Sequence, residues 1–237
     1  MAITYFDLET VAREGADMLL SAPVANRSLK DPAKVADDIA AKALKQREQL
    51  SLDPYGCRIV CASWHRTGRD AEPIHVWPCP TEDDEREMLR VLLSDMGNAT
   101  ICGYNCRAFD LPVLLARCRL LGVSYPYAWD NPKWLRYGTD VVDLYELLTF
   151  GQGRYDEHVI SRSLTSMCRV FGIDIPDDDI GGAWVAQAIA EGQWQMVQDH
   201  CQRDVQRTMA LAQRLRVADT RGVARTWGDV SVSEVAS

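Results

Sequence analysis

The chain opens on Ile3-Thr4-Tyr5-Phe6-Asp7-Leu8-Glu9-Thr10, a β-prone apolar run broken at alternate positions. On a strand, side chains two apart share a face, so Asp7 and Glu9 are expected to point the same way. Residues 11–30 have no sustained period, and Asp31-Pro32 then supplies an N-cap with proline at the first helical position. The helix that follows reaches about Leu50, with Val35, Ile39 and Ala43 as a thin apolar stripe among charges, so it reads as a solvated flap or a mobile arm. Arg58 to Trp64 and Pro73 to Trp77 read as strands separated by the turn-rich Thr67-Gly68-Arg69-Asp70. Thr81-Glu82-Asp83-Asp84 resembles a capping box ahead of a helix carrying Met88, Leu89, Val91 and Leu92.

Ala99 to Tyr104 is the next strand, and it delivers Asn105 to a helix with Leu111, Leu114, Leu115, Cys118 and Leu121 that Gly122 ends. Residues 123–138 are aromatic and proline-rich, and Asp140 to Leu144 reads as an edge strand. Three helices close the pattern. The first carries Leu164, Met167, Cys168 and Phe171 and stops at Gly172, the second covers about 183–191, and the last runs from Trp194 to Arg216. The buried stripe of the last helix is expected at Val197, Cys201, Thr208, Ala212 and Leu215, and the tail after Arg225 is expected to fray. The order βββαβαβ followed by helices is an α/β arrangement in a single domain spanning 1–237, with the charged helix at about 31–50 as an insertion.

A length of 237 residues with 47% hydrophobic content is enough to bury one full core. A net charge of −8 offers no global attraction for a polyanion, so contact with nucleic acid would need metal ions and a local basic patch. Eight cysteines would suggest a disulfide framework, but Cys61, Cys102 and Cys118 lie inside apolar strand or helix patterns. With no N-terminal signal segment and no run of membrane-span length, a reduced cytoplasm is expected, and no membrane partner. Cys57-x-x-x-Cys61 and Cys102-x-x-x-Cys106 lack the partners of a structural zinc site, so packed cysteines are the better reading.

The acids carry the candidate chemistry. A strand that buries Tyr5, Phe6 and Leu8 would not hold Asp7 and Glu9 on one face without a counter-ion, because an unpaired buried charge is costly. Asp110 opens an apolar helix, and Asp204 lies in His200-Cys201-Gln202-Arg203-Asp204 on the last helix. Hard divalent cations need several carboxylates converging from different elements, and these four supply such a set. His200 and Asp204 are spaced i, i+4, so they share one helix face. His65, His75 and His158 have no comparable context.

These motifs resemble those of the DEDD superfamily of 3′→5′ exonucleases. Asp7-x-Glu9 matches the first motif, Asn105-x-x-x-Phe109-Asp110 the second, and the third is a hybrid with His200 at the spacing where one subclass has tyrosine before Asp204. Lys30-Asp31-Pro32, the charged helix and Leu52-Asp53-Pro54 look like phage and prophage exonucleases related to the proofreading domain of family B polymerases. The resemblance implies an RNase H-like α/β fold, with an antiparallel meander plus parallel strands flanked by helices. It also implies hydrolysis from 3′ ends of single-stranded DNA, releasing nucleoside monophosphates with two Mg²⁺ or Mn²⁺ ions.

In that scheme Asp7 bridges both ions, Glu9 and Asp204 complete one shell, and Asp110 serves the second ion. His200 would accept a proton or orient water, since a neutral imidazole titrating near ~6.5 is a better acceptor than a tyrosine at ~10. Substrate contacts fall to Thr10 near the terminal 3′-hydroxyl, to Asn105 near the scissile nucleotide, and to Phe109 as a wedge against the bases or a simple core residue. Two alternatives remain open: an exoribonuclease that trims RNA, and a catalytically silent RNase H-like adaptor among replication or recombination proteins. Loss of a metal ligand would favour the adaptor, and none of the four acids is missing.

Overall fold

The computed structural model describes residues 2–68, 73–150, 162–176 and 182–217. The tail expected to fray, His158, and part of the turn at 67–70 lie outside them. Five strands form one sheet: β1 (Ile3–Ala12), β2 (Cys57–Arg66), β3 (His75–Pro78), β4 (Thr100–Gly103) and β5 (Val141–Asp143), in the order β3-β2-β1-β4-β5. The first three make an antiparallel meander, while β4 and β5 run parallel to β1. This mixed sheet flanked by helices is the RNase H-like arrangement. Its parallel strands all point their carboxyl ends toward one region, where open α/β sheets place their ligands.

Strand alternation sorts the core into two halves. Phe6 and Leu8 face a cluster with Met88, Leu89 and Leu92 of α2 (Glu82–Met96) and Leu111, Leu114 and Cys118 of α3 (Asp110–Leu121). Ile3 and Tyr5 face the opposite side, against Val205, Leu211 and Ala212 of the long helix α8 (Trp194–Arg214). With both faces of β1 covered, Asp7 and Glu9 necessarily lie under α8. Cys201 and Val197 of α8 pack with Val60 and Cys61 of β2, and with Val185 and Ala188 of α7 (Gly182–Ala190). The expected stripe on α8 thus holds at Val197, Cys201, Thr208 and Ala212, and is joined by Val205 and Leu211, while Leu215 is half-buried. All eight cysteines are buried and free.

The helix boundaries follow the capping chemistry. α1 (Pro32–Leu50) starts where the Asp31 carboxylate accepts the Ala33 N–H, and Thr81 with Asp84 forms the reciprocal capping box of α2. Gly122, at φ 66°, ends α3 in the left-handed conformation that glycine adopts without strain. The exposed face of α1 and its half-buried Val35, Ile39 and Ala43 fit the solvated flap rather than a buried helix. Short helices α4 (Pro132–Tyr137) and α5 (Leu144–Leu148) flank β5, and α6 (Leu164–Val170) leads toward α7.

A buried ion pair locks α2, α3 and β2 together. Arg117 of α3 donates to both carboxylate oxygens of Glu85 at 2.6 and 2.8 Å, and Glu85 Oε1 also accepts the Ile59 N–H at 3.0 Å. Arg117 is 1% exposed and Glu85 0%. This pair sets the position of α3, and therefore of Asp110 at its first turn. Arg117→Ala should destabilise the protein by about 3–5 kcal/mol, because it leaves a buried carboxylate without its partner. Urea unfolding measures this, and a loss below about 1 kcal/mol would show that the pair does not hold the helices.

Candidate metal centre

One strand and two helices build the candidate site. β1 contributes Asp7 and Glu9, and a bulge after Glu9 shifts the pairing with β2. Opposite Glu9 in that register stands Cys61, so both lie on the face covered by α8. From α8, Cys201 approaches Asp7, its Sγ lying 3.5 Å from the Asp7 carbonyl oxygen and 3.7 Å from Oδ2. Ligating atoms of Asp7, Glu9 and Cys201 all lie within 4.8 Å of one another. His200 Nε2 lies 3.5 Å from Glu9 Oε1 and 3.9 Å from Asp204 Oδ2, one helical turn away. His200 is buried.

Asp204 is held by Arg207, which donates to its Oδ1 at 2.5 Å and to the Pro176 carbonyl at 2.6 Å. Arg207 is only 1% exposed, and its charge offsets one of the clustered acids. Asp110 is buried at the opening of α3, where the Leu8 N–H bonds to its carboxylate. Burial first, then the charges of Asp204, Glu9 and Asp110, pushes the Asp7 carboxyl well above the usual range. Burial likewise raises Asp110 from 3.8 to about 7, against the hydrogen bonds that lower it. These acids oppose one another's ionisation and offer hard oxygen donors from β1, α3 and α8, a set suited to Mg²⁺ or Mn²⁺.

The segment leading to Asp110 is folded back on β4. A Cβ on Gly103 would come within 2.6 Å of the Cys106 Cβ, so the close approach needs glycine. Asn105 takes φ 59°, a left-handed conformation that asparagine tolerates better than most residues. Its position is set by Asp143, the last residue of β5. The Asp143 carboxylate accepts N–H groups from Asn105 at 2.8 Å, Arg107 at 3.0 Å and Tyr145 at 2.9 Å. The sequence pattern places Asp143 only within an edge strand. Its capping of α5 was visible as an Asp between strand and helix, but its bonds to residues 36 and 38 positions away were not.

A cavity of roughly 320 Å³ opens beside the acids, lined by Asp7, Asp204, Tyr104, Asn105, Tyr145 and Ser163 among others. The Tyr104 and Tyr145 rings meet edge to face with centroids 5.7 Å apart. Phe109 is half-buried and packs on the core side, against the cluster of α2 and α3. Thr10 lies past the bulge, and its hydroxyl donates to the Ser51 carbonyl at 2.7 Å, tying β1 to the end of α1. The structure therefore brings together Asp7, Glu9, Asp110, His200 and Asp204 with Asn105 at the rim, and gives the Thr10 proton a different partner.

The raised acids make a stability prediction for the metal-free protein. A carboxyl with a folded pKa above its unfolded value holds an extra proton in the folded state, so its contribution favours folding below about 4 and is lost as pH rises through about 7. Asp110→Asn removes that loss while keeping an acceptor for Leu8. Its stability relative to wild type in EDTA should grow from pH 4.5 to pH 8, by on the order of 2 kcal/mol and at most about 4. Paired melting curves across that range measure the difference, and a pH-independent difference would contradict the buried-acid assignment.

Residues 52–227, well over half of the chain, match a family described as predicted 3′-5′ exonuclease related to the exonuclease domain of PolB. The match spans the second and third motifs and begins after β1, to which the sheet joins them. No curated protein matches in sequence. Among solved structures, the family B DNA polymerase from the hyperthermophilic archaeon Pyrobaculum calidifontis is similar in fold, with 18% identity and a TM-score of 0.59 over 91% of this chain. The chain spans 24% of that polymerase. This protein belongs to the family of predicted 3′→5′ exonucleases related to the exonuclease domain of family B polymerases.

Proposed function

We propose that the protein is a metal-dependent 3′→5′ exonuclease that hydrolyses phosphodiester bonds at the 3′ ends of single-stranded DNA and releases nucleoside monophosphates. The observation that carries this reading is the convergence of Asp7, Glu9, Asp110 and Asp204 beside a cavity, in a chain of this family. DNA is preferred over RNA because the family is related to a DNA polymerase's exonuclease domain.

Asp7, Glu9, Asp110 and Asp204 would together hold the divalent cations, with Asp7 feeling the charge of all three other acids. Two bound Mg²⁺ or Mn²⁺ ions would supply an activated water and stabilise charge on the phosphate and leaving 3′ oxygen. The remaining work falls to the chain's own groups. Arg207 fixes the Asp204 carboxylate, and Asp143 holds the Asn105 turn so that the amide faces the cavity. His200 Nε2, 3.5 Å from Glu9 and 3.9 Å from Asp204, would accept a proton or orient water beside these acids. Tyr104 and Tyr145 line the cavity with aromatic surface that would contact a terminal base without selecting its identity.

Asp7→Ala and Asp204→Ala should abolish degradation of end-labelled single-stranded DNA in Mg²⁺ or Mn²⁺ while leaving a cooperative melt. A 3′-phosphorylated or circular strand should resist and a 5′-blocked strand should not. Activity retained in Asp7→Ala, or rapid cleavage of the circle, would overturn the assignment.

His200→Ala should lose roughly 10²–10⁴-fold in rate if proton transfer is its role, with an altered pH–rate profile. His200→Tyr should recover part of that loss by restoring a water-orienting group. Near-wild-type activity with an unchanged profile in His200→Ala would make the histidine a bystander.

A further inference from the structure

The ridge that holds Asn105 has a second face. Asn105 and Tyr145 line the cavity beside the acids, while Arg107, Ala108 and Glu146 line a separate cavity of about 790 Å³ together with Pro132, Lys133, Leu135, Arg136 and Tyr137. Asn105 and Arg107 are two residues apart, so the two cavities lie on either side of a span of at most about 7 Å. We propose that this second cavity is the path of the substrate strand, gripping the phosphodiester backbone a few nucleotides upstream of the 3′ end. The inference rests on the exonuclease reading and adds to it the surface that binds the rest of the strand.

Charge argues for it first. The chain carries a net −8 and the acids add local negative charge, so a polyanion needs a compensating patch. Arg107 is already committed. Its guanidinium donates to the carbonyls of Leu135, Gly138 and Val141 at 2.6, 2.8 and 2.7 Å and pairs with Glu146 at 3.2 Å. Arg107 thus offsets the acid of this cavity and fixes the loop that presents α4. Asp130 is paired with Arg119 and Tyr125, while Asp140 accepts from the neutral Trp134 Nε1 and keeps its charge, but it does not line this cavity. Among the described residues, the cavity wall therefore carries Lys133 and Arg136, both exposed on α4, as positive charge beyond the Arg107–Glu146 pair.

Aromatic surface argues for it second. Tyr137 is 68% exposed, and the Arg136 guanidinium carbon lies 6.0 Å from its ring centroid. A cation beside an open aromatic face is the combination that single strands use, with phosphate on the charge and a base on the ring, without sequence preference. Trp134, stacked on Trp129 with centroids 4.6 Å apart, anchors α4 from beneath. The grip is therefore mounted on a rigid support.

The test uses Lys133→Glu/Arg136→Glu and Tyr137→Ala in the full chain, with Lys34→Glu/Lys45→Glu on exposed α1 as a control of equal charge change. Fluorescence anisotropy with a long 5′-labelled oligothymidylate in calcium should show the first variant weakened about tenfold or more, with a salt slope smaller by about 1–2. Tyr137→Ala should weaken binding with an unchanged salt slope, and the control should match wild type. Hydrolysis of a dinucleotide in magnesium, whose single phosphate is the scissile one and leaves none for α4, should keep its wild-type kcat in every variant. Unchanged affinity and salt slope in Lys133→Glu/Arg136→Glu, or an equal loss in the control, would overturn the inference. A wild-type protein that hydrolyses neither substrate would instead count against the exonuclease reading, since anisotropy still judges the strand path by itself.

Discussion

Asp7 occupies the middle of a strand whose two faces are both covered, and almost everything else about the site answers to that placement. A carboxylate there loses part of its hydration, and three more acids stand close enough to oppose its ionisation. The protein meets this in part with its own groups. Arg207 offsets Asp204, a backbone N–H of Leu8 bonds Asp110, and three N–H groups stabilise the neighbouring Asp143. What remains is a nest of hard oxygen donors in which Asp7 and Asp110 bind protons more tightly than ordinary carboxylates and should exchange them for cations.

Holding such a nest open demands a stiff frame, because like charges would otherwise relax apart. The frame is the sandwich around β1. One face is clamped by α2 and α3, tied through Arg117 and Glu85, and the other by α8. Each element that brings an acid is also one that buries apolar surface, so the packing that stabilises the fold fixes the geometry of the site. The ridge at residues 104–108 serves twice, since one side borders the acids and the other the basic cavity beside α4.

Much of this was legible along the chain because it is local. Alternation in Ile3 to Thr10, the Asp31 and Thr81 caps, the Gly122 stop and the i, i+4 spacing of His200 and Asp204 depend on neighbours within a few residues, and each element stands where that chemistry places it. The parts that escaped depend on distant partners. Asp143 reads as a strand residue until β5 brings it to the Asn105 turn, and Arg207, an i+3 neighbour of Asp204, needs the fold to bring it to the Pro176 carbonyl. The bond from the Thr10 hydroxyl to Ser51 is likewise set at a distance, by the bulge in the pairing with β2 and by the end of α1. The need for a basic patch followed from net charge alone, whereas its location required knowing that Arg107 is used up by three carbonyls.

The central proposal is that Asp7, Glu9, Asp110 and Asp204 form one cation-binding centre in which Asp7 and Asp110, raised above the usual carboxylate range, hold protons until metal displaces them. Calorimetric titration of the EDTA-stripped protein with Mn²⁺ near pH 6.5, repeated in buffers of different ionisation enthalpy, measures both the sites and the protons released. The account predicts two bound ions with net proton release that shrinks as the starting pH rises above about 7, where Asp110 is already ionised. Absence of Mn²⁺ binding, or binding with no proton release at pH 6.5, would contradict it.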